Sequence, residues 1–186
     1  LTAITQMDDR IVEIIDVEKV LAEITPYDNE IDDDWIDKEL IDRIKGKQIL
    51  IADDSQVALN QVTGVLEKLG IDVVATHNGL EAYQVLEAWK AEGKDIANDL
   101  LMMITDAEMP EMDGYMLTSE IRKDPVLKGM FIVLHTSLSG NFNKAMVEKV
   151  GCDGFLSKFQ PEQLTLEVQR IIRKKLGLPE KEDLIS

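Results

Sequence analysis

Five residues carry the chemistry this chain can offer: Asp53, Asp54, Asp106, Thr136 and Lys158. Each stands where an apolar run ends. Leu101-Met102-Met103-Ile104-Thr105 stops at Asp106, and Lys47-Gln48-Ile49-Leu50-Ile51-Ala52 stops at Asp53-Asp54. Met130-Phe131-Ile132-Val133-Leu134-His135 ends in Thr136, and Gly154-Phe155-Leu156-Ser157 ends in Lys158. Such runs read as strands buried on both faces, as in a parallel sheet covered by helices. If the strands are parallel neighbours, their carboxyl ends meet on one edge, where open α/β sheets place their sites. Carboxylates crowded together repel unless a hard cation sits among them, and Mg²⁺ takes oxygen ligands of this kind. The ammonium and the hydroxyl would suit a phosphoryl group carried on the central carboxylate, Asp106.

Helices must hold those strand ends in place, and the sequence alternates accordingly. Ser55 caps a helix containing Val57, Leu59, Val62, Val65, Leu66 and Leu69, which Gly70 closes. Ile71 to Thr76 is a further strand, and Asn78-Gly79 opens a helix carrying Ala82, Val85, Leu86 and Trp89. The polar stretch from Lys94 to Asp99 reads as a loop. After Gly114 a short helix holds Leu117 and Ile121, Asn141 to Val150 is the next helix, and Pro161 to Leu176 is the last. Pro161 suits a first helical turn and Gly177 the position just past an end.

Asp-Asp, Asp, Thr and Lys at successive strand ends, with Met109-Pro110-Glu111-Met112-Asp113-Gly114 after Asp106, resembles the two-component receiver domain. Thr136 follows Asp106 by thirty residues and Lys158 follows Thr136 by twenty-two, both usual for that family. The resemblance covers Lys47 to Leu176 and implies an α/β fold. Its sheet would be doubly wound, five-stranded and parallel, flavodoxin-like, with strand order 2-1-3-4-5. It implies that Asp106 accepts a phosphoryl group from a histidine kinase. It also implies that Asp54 and Asp106 ligate Mg²⁺ directly, that Asp53 holds a coordinated water, and that the backbone carbonyl of Glu108 is the third protein ligand. Lys158 would pair with Asp106 and then with a phosphoryl oxygen. Thr136 would donate to another, its movement letting Phe155 rotate inward. Two features depart from the family pattern: Phe159-Gln160 stand between Lys158 and Pro161, and an acidic Glu108 sits two positions after the acceptor. The Asp54 to Asp106 interval is longer than in compact receivers, and the excess is expected in the helix after Gly79 and the loop that follows it.

Ahead of the receiver, Thr2 to Thr5 and Arg10 to Ile15 read as short strands around a turn, Gln6-Met7-Asp8-Asp9. Asp16 would cap a short helix through Val17, Val20 and Leu21. Met7 to Leu21 resembles the closing segment of a CheW-like coupling domain; the other reading is an edge hairpin of unrelated origin. A CheW-like domain followed by a receiver is the architecture of CheV-type chemotaxis adaptors. From Tyr27 to Asp42 eight acids face one base, Lys38, so this stretch holds almost half of the net charge of −16. Ile31, Trp35, Ile36, Leu40, Ile41 and Ile44 recur there at helical spacing, with Asp32 or Asp33 as N-cap and Gly46 as the end. This helix either packs on the receiver or on a second copy, as a homodimer contact, or is simply solvated with a modest apolar stripe. The expected organisation is a coupling-domain fragment over 1–26, an acidic linker helix over 27–46, the receiver over 47–177 and a tail over 178–186. Leu1 in place of Met suggests a piece of a longer polypeptide, and the few residues after the last helix argue against a following DNA-binding domain.

Composition narrows the function further. A formal charge of −16 disfavours nucleic acid, because phosphate contacts need clustered Lys and Arg. No apolar run approaches the roughly 20 residues of a membrane span, and no basic-then-apolar leader opens the chain. A single cysteine, Cys152, excludes an internal disulfide and fits a cytoplasmic location. His77, near a strand end, and His135, inside a strand pattern, read as ordinary packing or exposure and not as kinase-type phosphoacceptors. The expected partners are a histidine kinase of a chemotaxis pathway and, through the coupling domain, chemoreceptors. The competing readings are a scaffold whose receiver is never phosphorylated and an aspartyl-nucleophile phosphatase or phosphotransferase. Against the latter, Asp-Ala-Glu replaces the Asp-x-Asp usual in haloacid-dehalogenase-type enzymes. The chain is expected to take part in its own phosphorylation and dephosphorylation only, and not to act as an enzyme on other substrates.

Overall fold

The computed structural model describes residues 3–7, 10–14, 35–136, 150–158 and 161–179. Strands β1 (Ala3–Met7) and β2 (Arg10–Ile14) form an antiparallel pair in which Met7 faces Arg10. Only Asp8-Asp9 lies between them, so Gln6 and Met7, expected in a four-residue turn, belong to the strand. The helix expected from Asp16 lies outside the described residues, as does nearly all of the one expected from Asn141.

The linker contributes helix α1 (Lys38–Ile44), which starts later than expected. Its cap is Asp37, not Asp32 or Asp33, and the reason is tertiary. The Asp37 N–H donates to Gln169 Oε1 at 2.7 Å, its carboxylate accepts from Leu40 N, and Arg173 Nη1 donates to Oδ2. Gln169 Nε2 in turn donates to the Trp35 carbonyl at 2.9 Å. Leu40 and Ile44 are buried in the main core, with Trp35 and Ile36 packed against it. Of the alternatives for this helix, packing on the receiver is the one observed.

Strand and helix then alternate. β3 (Gln48–Ala52), α2 (Gln56–Lys68), β4 (Asp72–Thr76) and α3 (Gly79–Ala91) lead to a single helical turn, α4 (Ile96–Asp99). That turn replaces the expected loop: Asp95 accepts from Asn98 N, and Ile96 is buried against the sheet. β5 (Leu100–Asp106), α5 (Gly114–Lys123), β6 (Ile132–Thr136), β7 (Gly154–Ser157) and α6 (Pro161–Lys175) complete the described elements. The sheet runs β4-β3-β5-β6-β7 with every pairing parallel, which is the order 2-1-3-4-5 when counted from β3.

Alternate residues of a strand face opposite sides, and β3 shows how two cores result. Ile49 and Ile51 join α1, α2 and α6, while Leu50 and Ala52 join α3 and α5. Every residue of β5 is buried, as a strand covered on both faces requires. Each buried Leu or Ile contributes about 1.5–3 kcal/mol, so the sheet edge rests on a rigid base. Among the described residues no helix is long and apolar enough to cross a membrane.

Candidate functional site

Local signals turn the chain at the carboxyl ends of β3, β4 and β5. Ser55 caps α2 by accepting from Ala58 N, Asn78 caps α3 through Glu81 N, and Asp113 caps α5 through Met116 N. Two glycines let the loops close up. A Cβ on Gly114 would lie 2.0 Å from the Asp106 carbonyl oxygen, and one on Gly79 would lie 2.4 Å from that of Met112. The start of α5 therefore presses on the end of β5, and the loop after β5 locks to the start of α3, with Gly79 N donating to Met112 O at 3.0 Å. Asp-Gly after Met-Pro is thus a steric requirement of the site.

Asp106, the last residue of β5, is 7% exposed, and Asp53, just past β3, is 1% exposed. Lys158, just past β7, donates to Asp106 Oδ2 at 2.8 Å and lies 3.0 Å from Asp53 Oδ2. The second contact lacks hydrogen-bond alignment, and Asp53 Oδ2 accepts no hydrogen bond among the described residues. Asp53 Oδ1 accepts from Ser55 N at 2.9 Å, and Asp106 Oδ1 from Ala107 N at 2.6 Å. Asp54 is exposed and lines an open cleft of about 460 Å³ together with Glu108, Met109 and Pro110. Thr136 is buried at the end of β6, its carbonyl accepting from Lys158 N at 3.2 Å. Phe155 is half-buried beside Ala107 and Leu134. The structure thus gathers Asp53, Asp54, Asp106, Thr136 and Lys158 at one sheet edge, with Glu108 in the adjoining cleft and Phe155 beneath.

The charges there are mismatched. Burial lifts the Asp106 carboxyl to about 6; Lys158 pulls it down and Asp53 pushes it up again. Burial also raises Asp53, but His135, Lys158 and the Ser55 N–H outweigh it and hold that carboxyl below the ordinary range. Burial would lower the Lys158 ammonium, yet the two carboxylates win and raise it. Lys158 reaches two carboxylates, Asp53 and Asp106, and Asp54 brings a third negative charge to the same edge. Oxygens of Asp53, Asp54 and Asp106 lie within 4.8 Å of one another, a hard-oxygen set of the kind Mg²⁺ takes. Asp53 Oδ2, 3.0 Å from Lys158 but without an aligned hydrogen bond among the described residues, fits the same picture, since such a buried oxygen can take a cation or its water. The donor set therefore suits a divalent ion.

One neighbour was not anticipated. His135 is buried, its Nδ1 stands 3.9 Å from Asp53 Oδ2, and burial depresses its basicity. Only its place one residue before Thr136 hinted at this. His77 is exposed, and Cys152 is half-buried with its thiol raised by burial.

Comparison with known proteins extends these observations. Residues 49–169 match the family model described as the response regulator receiver domain. The chemotaxis protein CheV1 of Helicobacter pylori is 31% identical over 172 residues, covering 92% of this chain and 50% of CheV1. CheY1 of the same organism is 30% identical over 126 residues, covering 67% of this chain and 96% of CheY1. The receiver domain of the Pseudomonas aeruginosa sensor histidine kinase PA1611, solved with a magnesium ion in its active-site cleft, superposes with a TM-score of 0.57. It is 25% identical and covers 71% of this chain and 97% of that one. The chain spans about half the length of the CheV relatives it matches.

Proposed function

The chain belongs to the response regulator receiver family, and on that premise we propose that it is the phospho-acceptor module of a chemotaxis adaptor. Asp106 takes a phosphoryl group from a histidine kinase of the pathway. The observation that carries this reading is the convergence of Asp53, Asp54 and Asp106 oxygens within 4.8 Å of one another, with the Lys158 ammonium against Asp53 and Asp106, at the carboxyl edge of the sheet. The surplus negative charge calls for a divalent ion, and an aspartate is a weak nucleophile until that charge is offset.

Asp53, Asp54 and Asp106, with the Glu108 carbonyl, would hold Mg²⁺, which would supply charge neutralisation at the acceptor. An Asp106 oxygen bonds to phosphorus as the P–N bond of the donor phosphohistidine breaks and its electron pair leaves on the imidazole. Lys158 follows the negative charge from the carboxylate to a phosphoryl oxygen, and the Thr136 hydroxyl donates to another. Phe155, between Leu134 and the site, then repacks and changes the face formed by β6, β7 and their helices. Residues 47–177 form this receiver, and 178–186 are a tail. Residues 1–26 would close a CheW-like coupling domain that engages chemoreceptors, a reading supported by the hairpin register and the CheV relatives. A homodimer through the 27–46 linker would have to use the outward face of α1, because Leu40 and Ile44 are covered. Such a module takes part in its own phosphorylation and hydrolysis without turning over other substrates.

Incubation with Mg²⁺ and acetyl phosphate tests this. The expected result is an acid-stable, hydroxylamine-labile adduct that is absent from Asp106→Asn. Release of many phosphate equivalents without a lasting adduct would point instead to an aspartyl phosphatase, and absence of both to an unphosphorylated scaffold.

A further inference from the structure

The two oxygens of Asp53 are served unequally. Oδ1 accepts the Ser55 N–H, while Oδ2, buried, has no aligned donor among the described residues. The Lys158 ammonium is close to Oδ2 but directed at Asp106. A buried acceptor left in that condition is costly, and such cases call for an explanation. Beside it, on β6, stands His135, whose β5 register partner is Asp106. Its Nδ1 is 3.9 Å from Oδ2, about 1 Å beyond hydrogen-bonding distance. The interior of a strand between Leu134 and Thr136 has no packing need for an imidazole, and burying one is unfavourable unless its N–H finds a partner.

We propose that His135 is a positioning residue for Asp53, closing its Nδ1–H onto Oδ2 when Lys158 turns to the phosphoryl group, and so holding Asp53 toward the cation. The inference rests on the reading of Asp53, Asp54 and Asp106 as a divalent-ion site. Its physical basis is a shortage of donors: one ammonium serves two carboxylates now and has to serve a phosphoryl oxygen as well. The imidazole already stands beside Asp53, so the missing hydrogen bond needs only a closure of about 1 Å. Groups that orient a metal-binding carboxylate in this way are commonly worth about 10–100-fold in metal affinity.

Mg²⁺ affinity, measured calorimetrically on the full chain, tests the proposal in the parent, His135→Leu and His135→Asn. Asn places an N–H close to the position of Nδ1, whereas Leu fills the same strand site without a donor. His135→Met replaces the Leu variant should circular dichroism show that one unfolded. The expected result is a rise of about tenfold or more in the Mg²⁺ dissociation constant for Leu, with Asn within about threefold of the parent. The rate of adduct formation from acetyl phosphate at saturating Mg²⁺ should rank the three proteins in the same order. A Leu variant that binds Mg²⁺ as the parent does, or Leu and Asn variants weakened alike, would overturn the role of His135 while leaving the acceptor site intact. A parent that binds no Mg²⁺ and gains no phosphoryl group would overturn both.

Discussion

Two buried carboxylates, Asp37 and Asp53, are each 1% exposed and each face a buried cation, yet they do opposite work. Asp37 pairs with Arg173 at the end of the sheet where Lys175 donates to the carbonyls of Leu100 and Leu101, at the start of β5. There one carboxylate meets one guanidinium. The carboxylate also caps α1, and Arg173 Nε donates to the Pro179 carbonyl at 2.7 Å. Both carboxylate oxygens of Asp37 therefore accept hydrogen bonds. At the other end two buried carboxylates share one ammonium beside a third carboxylate, Asp53 Oδ2 has no aligned hydrogen bond among the described residues, and the Asp106 carboxyl is raised to about 6. The contrast is one of donors: a fully served pair fastens the linker to the receiver, and an under-served set is what the proposed cation and phosphoryl group would complete.

Breaking the fully served pair should produce the largest change in stability. Asp37→Ala or Arg173→Met removes one partner of a buried ion pair, a change that typically costs about 3–5 kcal/mol. Denaturant midpoints should fall accordingly, with phosphoryl uptake per folded molecule unchanged. Replacing both as Asp37→Leu with Arg173→Met should recover most of that loss.

The under-served set should respond to pH in the opposite sense from an ordinary salt bridge. Folded Asp106 keeps its proton to about 6, while the unfolded chain releases it near 3.8. Between those values the folded state binds more protons, so metal-free protein should lose stability as pH rises from about 4 through about 6, by up to about 3 kcal/mol. Asp53, held low, contributes above the ordinary carboxylate range and loses its contribution in acid; Lys158, held high, loses its own only in alkali. Urea titrations of chelator-treated protein at several pH values should show the slope, and Asp106→Asn should flatten it.

Mg²⁺ should then stabilise the parent by about 2.7 kcal/mol at a hundredfold excess over its dissociation constant, and Asp54→Asn should reduce that gain sharply. The smallest effect belongs to a pair exposed on the surface, Glu39 with Arg43 at 3.3 Å, where Glu39→Gln should shift the midpoint by no more than about 0.5 kcal/mol.

The fold was legible because its signals are local and redundant. Apolar runs ending in Asp53, Asp106, Thr136 and Lys158 marked the strands, and Ser55, Asn78 and Pro161 marked the helix starts. What escaped the sequence was tertiary. Asp37 as the start of α1 depends on Arg173 and Gln169, more than 130 residues away in the chain. Nothing in the composition of the 27–46 stretch distinguishes that one acid from its seven neighbours. The turn at Ile96–Asp99 was hidden by polarity, since its single buried anchor, Ile96, is too little to make a period. His135 was placed inside a strand, but which neighbour it meets follows from the β5–β6 register, and no spacing along one strand reveals that.

Reductive trapping measures the acceptor directly. Protein treated with acetyl phosphate and Mg²⁺, then reduced with borohydride, converts a phosphorylated aspartate to homoserine, which tandem mass spectrometry can place in the sequence. Conversion of Asp106 alone, dependent on Mg²⁺, is the expected result. Conversion at Asp53 or Asp54 in its stead, or none at any aspartate while the parent binds Mg²⁺, would contradict the assignment of Asp106 as the phosphoryl acceptor.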